Sequence, residues 1–251
     1  MDVLNCNLSP YLTFFLLRCK TSILQSIKLS SLKFCNLAGL QNGGIMKTLA
    51  ILSRKGGTGK TTLAVHLAVE AERSGHTVIL IDLDPQASAA KWKDHREDDM
   101  PFVVTSPVSR LAETLNRAKE NAATLAIIDT APHTETAALD AATAAEMVLI
   151  PCKPALVDLE AIPSTVNVIR IANVPARIVF NAVPSRGNRV DQAREAVKVF
   201  DIPCAPCNIG DRVAFLDSYN AGLTVQEFEP RGKASQEIQA LYKYISKEMG
   251  V

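Results

Sequence analysis

A glycine-rich segment, "SRKGGTGKTT" at residues 53–62, ends like a phosphate-binding loop. The strict pattern for such loops, G-x-x-x-x-G-K-[ST], requires a glycine five residues before Gly59. That position holds Arg54, and Lys55 follows it. The loop therefore carries a second lysine in addition to Lys60, immediately before its glycines, and this extra charge needs its own explanation.

The residue types of this segment match the chemistry of phosphate binding. Glycines let the backbone turn tightly and direct N–H groups at phosphate oxygens, and the start of a helix adds partial positive charge. Lys60 would bridge the β- and γ-phosphates, the Thr61 hydroxyl would ligate Mg²⁺, and Thr62 would bond near the α-phosphate. The predicted phosphate-binding residues are Gly56, Gly57, Thr58, Gly59, Lys60, Thr61 and Thr62.

Three carboxylates stand where a magnesium nucleotide site needs them. "VILIDLDPQ" places Asp82 and Asp84 at the end of one predicted strand, and "LAIIDTAP" places Asp129 at the end of another. In an open α/β sheet, ligands bind at the carboxyl ends of the strands, so these acids should reach the same crevice as the loop. We predict metal-site roles for Thr61, Asp82 and Asp129, with Asp129 acting through water.

The elements that must position these residues alternate along the chain from Met46. Short Val/Ile/Leu runs without polar alternation predict strands covered on both faces. These runs lie at residues 48–52, 77–83, 102–105, 124–129, 147–151 and 177–183. The pattern predicts an α/β fold: an open, mostly parallel twisted sheet flanked by helices on both faces.

Longer helical patterns separate the predicted strands. They lie at residues 60–74, 88–95, 110–121, 134–145, 157–172 and 189–200. The final third is less regular, with a loop, a short helix ending at Gly222 and another turn. A last helix is predicted over residues 232–249. One domain over 46–251 is the economical interpretation.

Composition narrows the protein class. A chain of 251 residues with 47% hydrophobic and 21% charged residues is typical of a globular protein. The formal net charge of +1 does not indicate nucleic-acid binding, so any DNA contact must come from a local patch. Six scattered cysteines fit a reducing cytosol better than a disulfide framework. The apolar run "YLTFFLL" is too short to span a bilayer.

The first 45 residues differ from the rest. They are rich in Ser, Leu and Asn and contain one acid, Asp2. From Met46 the sequence "MKTLAILSRKGG" begins as a complete domain of this kind would. We interpret residues 1–45 as an N-terminal extension, either disordered or upstream of a misassigned start codon. An organellar transit peptide is the rival interpretation.

Three segments in this order and spacing resemble one protein family. "KGGTGKTT" at 55–62, "DLDPQ" at 82–86 and "IIDTAP" at 127–132 are similar to the deviant Walker A ATPases of the ParA/MinD group. "DPQASAAKW" and "LIPCKPALVDLEA" resemble most the compact ParF-like partition proteins. The resemblance covers residues 46–251 and implies ATP and Mg²⁺ as cofactors.

The resemblance also implies roles for individual residues. Lys55 would reach across a homodimer to the nucleotide of the other subunit, where a cation offsets the phosphate charge of two sandwiched ATP molecules. Asp84 matches the position that orients the attacking water, and Asp82 lies nearer the metal network. Asn181 matches the asparagine that contacts the adenine base. Lys55, Lys60 and Asp84 are thus the predicted catalytic residues.

Partitioning of DNA is the activity that the resemblance favours. It implies an ATP-dependent dimer that binds DNA without sequence preference on the nucleoid, moves plasmid or chromosome, and is stimulated by a small ParB-like or ParG-like centromere-binding partner. The candidate DNA contacts are Arg186, Arg189, Arg212 and Lys233, which could equally be ordinary solvated charges.

Two alternatives stay open. One is an iron–sulfur carrier ATPase that uses Cys204 and Cys207 of "CAPC" across a dimer, although two small buried thiols explain the same motif. The other is a ParA-like positioner of protein cargo. A membrane role, as in MinD, is not expected, because the apolar positions of the last helix have the spacing of a face packed on its own domain.

Overall fold

The computed structural model describes residues 45–132 and 134–251. Residues 1–44 of the predicted N-terminal extension lie outside this part of the chain. None of the helices in the described part is long and apolar enough to cross a membrane.

Six parallel strands form one sheet. They are β1 (Lys47–Ile51), β2 (Val78–Asp82), β3 (Phe102–Thr105), β4 (Leu125–Asp129), β5 (Met147–Cys152) and β6 (Ala176–Phe180). Their order across the sheet is β3-β2-β4-β1-β5-β6, and every pairing is parallel. All six predicted strands are confirmed, and the sheet is parallel throughout.

Helices connect the strands and follow the last one. They are α1 (Lys60–Arg73), α2 (Ser88–Asp94), α3 (Leu111–Glu120), α4 (Glu135–Thr143), α5 (Leu156–Leu159), α6 (Ile162–Ala172), α7 (Arg189–Val197), α8 (Val213–Asn220), α9 (Val225–Phe228) and α10 (Lys233–Met249). Short 3₁₀ turns, Val108–Arg110 and Lys198–Phe200, precede α3 and follow α7.

Successive strand residues point to two separate cores. On one face, Leu80 of β2 and Ile127 of β4 pack with α1, α2, α9 and α10. On the other face, Ile81 of β2 and Ile128 of β4 pack with α3, α4, α6 and α7. Because both faces are covered, the strands need apolar residues at every position, which explains their unbroken Val/Ile/Leu runs.

Two sequence expectations need correction. The predicted helix 157–172 is two helices, α5 and α6. Pro163 lies in the first turn of α6, where its missing N–H is not needed. A proline inside a helix would break it, so one continuous helix cannot run from α5 through Pro163. The turn predicted after Gly222 contains α9, which a reciprocal capping box between Thr224 and Glu227 begins.

The strand order brings the candidate residues to one edge of the sheet. β4 lies between β1 and β2, so Asp129 is in register with Ile51 on one side and with Asp82 on the other. The loop that follows β1 and the acids that end β2 and β4 therefore meet at the carboxyl ends of the central strands.

Candidate functional site

The glycine-rich loop runs from the end of β1 to Lys60, the first residue of α1. Gly57 and Gly59 adopt φ values of 72° and 92°, in the left-handed region that residues with a side chain rarely adopt. A Cβ added to Gly59 would also lie 2.1 Å from Asn181 Nδ2. Gly59 is therefore required both by its backbone conformation and by the close approach of β6's end.

The partly buried Thr61 and the buried Asp129 form the centre of the site. The Thr61 hydroxyl donates a hydrogen bond of 2.6 Å to Asp129 Oδ2. Asp129 is fully buried, and its other oxygen, Oδ1, has no hydrogen-bond partner within the described residues. The pKa of Asp129 is raised to about 7, chiefly by burial and also by the nearby carboxylate of Asp82, whereas the Thr61 hydrogen bond and Lys60 oppose the shift.

Lys60 lies beside this centre and is itself buried. Its ammonium donates to the backbone carbonyl of Lys55 at 3.2 Å. Burial lowers the pKa of Lys60, and the carboxylates of Asp129 and Asp84 oppose that change. A cation held in this way, with little water around it, has a strong electrostatic attraction for an anionic ligand.

Asp82 directs its carboxylate at the backbone of its own loop and of α2. Its Oδ1 accepts the N–H of Asp84 at 3.0 Å, and its Oδ2 accepts the N–H of Ala89 at 2.9 Å and of Ala90 at 3.4 Å. Asp84 is only partly buried, and its Oδ1 accepts the N–H of Gln86. The structure brings both acids to the crevice, and their predicted roles stay predictions.

Asn181 and two loop threonines complete the predicted set. Asn181 is buried at the end of β6, and its Nδ2 donates to the carbonyl of Thr58 at 2.7 Å. The Thr58 hydroxyl lies 3.5 Å from the carbonyl of Lys55. The Thr62 carbonyl contacts the ring of His66 one turn further along α1. Asn181 thus reaches the phosphate loop, and its contact with an adenine base stays a prediction.

The two cations that precede the glycines are paired with acids of other helices. Lys55 Nζ lies 3.2 Å from Asp158 Oδ2 of α5, and Asp158 is buried. Arg54 Nη1 lies 3.3 Å from Glu135 Oε2 of α4, and its backbone N–H donates to Thr165 of α6. Sequence reasoning missed Asp158 and Glu135, although Asp158 lies within the family-like segment "LIPCKPALVDLEA".

The two cysteines of "CAPC" lie away from this crevice, beside β6. Cys204 pairs with Ile178 in an isolated parallel bridge, and Cys204 and Cys207 are both partly buried. Burial raises the pKa of both thiols. Across residues 45–132 and 134–251, no group of three or more His, Cys, Asp or Glu side chains is placed to hold a metal ion.

The sequence matches a known family over most of the part that carries this site. Residues 49–225 match the CobQ/CobB/MinD/ParA nucleotide binding domain. The chain belongs to this family. The resemblance to ParA/MinD proteins that the motifs indicated is therefore confirmed, and the family's ParA/MinD-type members are P-loop ATPases.

Relatives within the family cover nearly the whole described region. Maintenance of carboxysome distribution protein A (McdA) of Gloeobacter kilaueensis is 30% identical over 214 residues, which are 81% of this chain and 94% of that protein. Protein IncC of Escherichia coli is 28% identical over 257 residues, covering 82% of this chain and 71% of that protein. The relatives therefore include one that is named for carboxysome distribution.

A solved structure supports the fold independently. The Cyanothece McdA–ATP complex superimposes with a TM-score of 0.67 at 18% identity, covering 83% of this chain and 98% of that one. This likeness confirms the α/β fold of the CobQ/CobB/MinD/ParA family for this chain.

Proposed function

We propose that this protein is a ParA-type ATPase that binds ATP and Mg²⁺, forms an ATP-dependent sandwich dimer and binds DNA without sequence preference to drive partitioning. Family membership and the phosphate loop support nucleotide binding. Hydrolysis then returns the dimer to monomers and releases DNA. A small ParB-like or ParG-like partner stimulates turnover, and the protein acts in the cytoplasm on the nucleoid.

One observation carries the proposal: the hydrogen-bonded pair of Thr61 and the buried Asp129. The Asp129 Oδ1 atom, buried without a partner in the described residues, fits a site completed by a cation or its bound water. Hydroxyl and carboxylate oxygens are the ligands that Mg²⁺ prefers. Thr61 and Asp129 would hold the ion, and when bound it neutralises charge on the β- and γ-phosphates. Asp82 is a further candidate for this network.

The remaining steps belong to the chain's own residues. The loop amides of residues 56–62 bind phosphate oxygens, and Lys60 moves from the Lys55 carbonyl to the phosphates. Asp84, which is partly exposed at the mouth of the crevice, orients the attacking water. Asn181 orients the base from the end of β6.

Lys55 supplies the link between nucleotide and assembly. Its side chain is 28% exposed, and its ammonium is bound to Asp158 within the same chain. Two ATP molecules at a shared interface present phosphates that compete with Asp158 for this cation. Lys55 then contacts the partner's nucleotide, so dimerisation depends on ATP in both subunits.

Exposed cations in the C-terminal third of the chain are the best candidates for DNA contacts. Arg186 and Arg189 are exposed and flank the turn at Gly187, and Lys233 is exposed at the start of α10. Arg212 is engaged in an ion pair with Glu237, which reduces its availability. Contacts of this kind bind phosphates, and binding should therefore weaken steeply as salt rises.

The test measures binding of the full chain to random-sequence duplex DNA at several salt concentrations. We expect binding with ATP and Mg²⁺, none with ADP, and persistent binding for Asp84→Ala, which retains ATP. The double variant R186A/R189A should bind more weakly, with a shallower salt slope by about 1 per lost phosphate contact. Lys119→Ala, at an exposed residue of α3, is the control. ATP-independent binding, or no binding at low salt, would contradict the proposal.

Positioning of protein cargo is the second candidate. A specific observation favours it: the alignment with McdA covers 94% of that protein at 30% identity. A small basic DNA-binding protein encoded next to this gene would support partitioning of DNA, whereas a neighbouring cargo component would support positioning. The iron–sulfur alternative stays a hypothesis that an iron–sulfur absorption band in anaerobically purified protein would support.

A further inference from the structure

The start of α2 is held from two sides. From the sheet side, Asp82 Oδ2 accepts the N–H groups of Ala89 and Ala90. From a helix late in the chain, the Tyr219 hydroxyl of α8 donates to the carbonyl of Ser88 at 2.7 Å. Tyr219 is 131 residues away along the chain and belongs to none of the nucleotide motifs. The loop between Asp82 and Ser88 therefore has both ends fixed.

That loop sets the direction of Asp84. The Asp84 N–H donates to Asp82 Oδ1, the Asp84 carboxylate accepts the N–H of Gln86, and the Asp84 carbonyl accepts the N–H of Ala87 at 2.8 Å. Ala87 has a φ of 50°, a left-handed conformation that costs energy for alanine. Because this turn is short and hydrogen-bonded, a change in the position of the Ser88 backbone would also move the carboxylate of Asp84.

Other contacts join α2 and the residues just after it to the segment after α8, so Tyr219 is not needed to hold the helix on the domain. Trp92 Nε1 donates to the Leu223 carbonyl at 3.2 Å, and the Arg96 guanidinium binds both carboxylate oxygens of Glu227 at 2.9 and 2.7 Å. Trp92 is fully buried. Because these contacts hold α2 in place, removing the Tyr219 hydroxyl should leave the fold intact.

We propose that Tyr219 is a positioning residue for ATP hydrolysis, because its hydroxyl fixes Ser88 and through it the loop that aims Asp84. The inference rests on the role of Asp84 given under the proposed function. Burial raises the pKa of Tyr219, and Asp82 and Asp129 raise it further, so the hydroxyl stays protonated and donates this bond throughout the neutral range. Tyr219 does not contact the nucleotide in this mechanism.

The test compares Tyr219→Phe with Tyr244→Phe, which removes a hydroxyl that contacts Arg177 of β6 instead. We expect Tyr219→Phe to lower kcat roughly fivefold, the effect of one lost hydrogen bond on the barrier, with ATP affinity within about twofold of the parent. Tyr244→Phe should keep the parent kcat. The double variant D84A/Y219F should hydrolyse ATP no more slowly than D84A alone, because both changes act through Asp84.

Each outcome bears on the Tyr219 inference, on the proposed role of Asp84, or on both. A parent-like kcat for Tyr219→Phe, beside a defective Asp84→Ala, overturns the Tyr219 inference and leaves the proposed function standing. A further loss in the double variant also overturns it, since Tyr219 would then act elsewhere. A reduced ATP affinity with unchanged kcat assigns Tyr219 to binding and contradicts the inference. Parent-like hydrolysis by Asp84→Ala contradicts the proposed role of Asp84 and the inference with it.

Discussion

The candidate site has a buried half and a partly exposed rim, and the two are bonded differently. In the buried half, Lys60 and Asp129 are buried and Thr61 is partly buried, and the Thr61 hydroxyl donates directly to Asp129. On the rim, Arg54 and Lys55 are bonded to acids of α4 and α5, outside the loop. One loop thus contains groups that face inward and groups that are held away from the site.

This difference indicates which part of the site a single chain completes. In the buried half, the groups that we propose to bind phosphate and the ion already lie close together within one chain, so little movement is needed to organise them. The Arg54–Glu135 pair, whose acid is 66% exposed, contributes about 0–1 kcal/mol. The Lys55–Asp158 pair has a buried acid, and removing one partner from such a pair costs about 3–5 kcal/mol unless another interaction compensates. We therefore expect Lys55 to leave Asp158 only where the phosphate charge of ATP attracts it more strongly than the buried carboxylate does.

The largest effect should come from the buried half. Lys60→Ala removes the desolvated cation that faces the phosphates, and we expect ATP affinity to fall more than about 100-fold, since charged hydrogen bonds in such sites contribute several kcal/mol. Titration calorimetry with ATP and Mg²⁺ measures it. Lys119→Ala is the control, and a Lys60 variant that binds ATP like the parent would contradict the division into two halves.

Asp129→Asn should change the pH dependence of stability as well as the hydrolysis that depends on Mg²⁺, and the two effects can be measured separately. Because the folded pKa of about 7 exceeds the ordinary value of 3.8, the folded state binds a proton that the unfolded state releases between these values. The nucleotide-free protein therefore loses stability as pH rises from about 4 to 7. The asparagine variant lacks this loss, so without metal its Tm should exceed the parent's by a few degrees at pH 8 and much less at pH 5.

The same variant should lose hydrolysis dependent on Mg²⁺. Asp140→Asn, at an exposed residue of α4, is the matched control and should change neither property. A Tm advantage that is equal at pH 5 and pH 8 would show that the carboxylate of Asp129 does not titrate as the burial of this group requires.

The smallest effect should come from Arg54. Its partner Glu135 is 66% exposed, so Arg54→Ala should lower the free energy of unfolding by about 0.5 kcal/mol or less and leave ATP hydrolysis unchanged. Urea denaturation and an ATPase assay check this. A loss of hydrolysis that exceeds that of Lys55→Ala would place Arg54, not Lys55, at the functional rim.

Sequence patterns predicted most of the fold and the inward-facing residues of the site. The strands follow from local apolar runs, and the position of Asp129 beside Thr61 follows from the rule for strand ends in parallel sheets. The contacts of Lys55 with Asp158, Arg54 with Glu135 and Tyr219 with Ser88 join distant segments. Such pairs depend on how helices pack over the sheet, and a single sequence carries no local signal for them.

The direct test of the rim is ATP-dependent dimerisation, measured by sedimentation for Lys55→Ala, Asp158→Asn and the parent at matched ATP occupancy. Lys55→Ala should bind ATP within about threefold of the parent yet stay monomeric, since it lacks the cation for the partner's phosphates. Asp158→Asn frees Lys55 and should dimerise at severalfold lower protein concentration. Dimerisation of Lys55→Ala equal to the parent's would contradict the account.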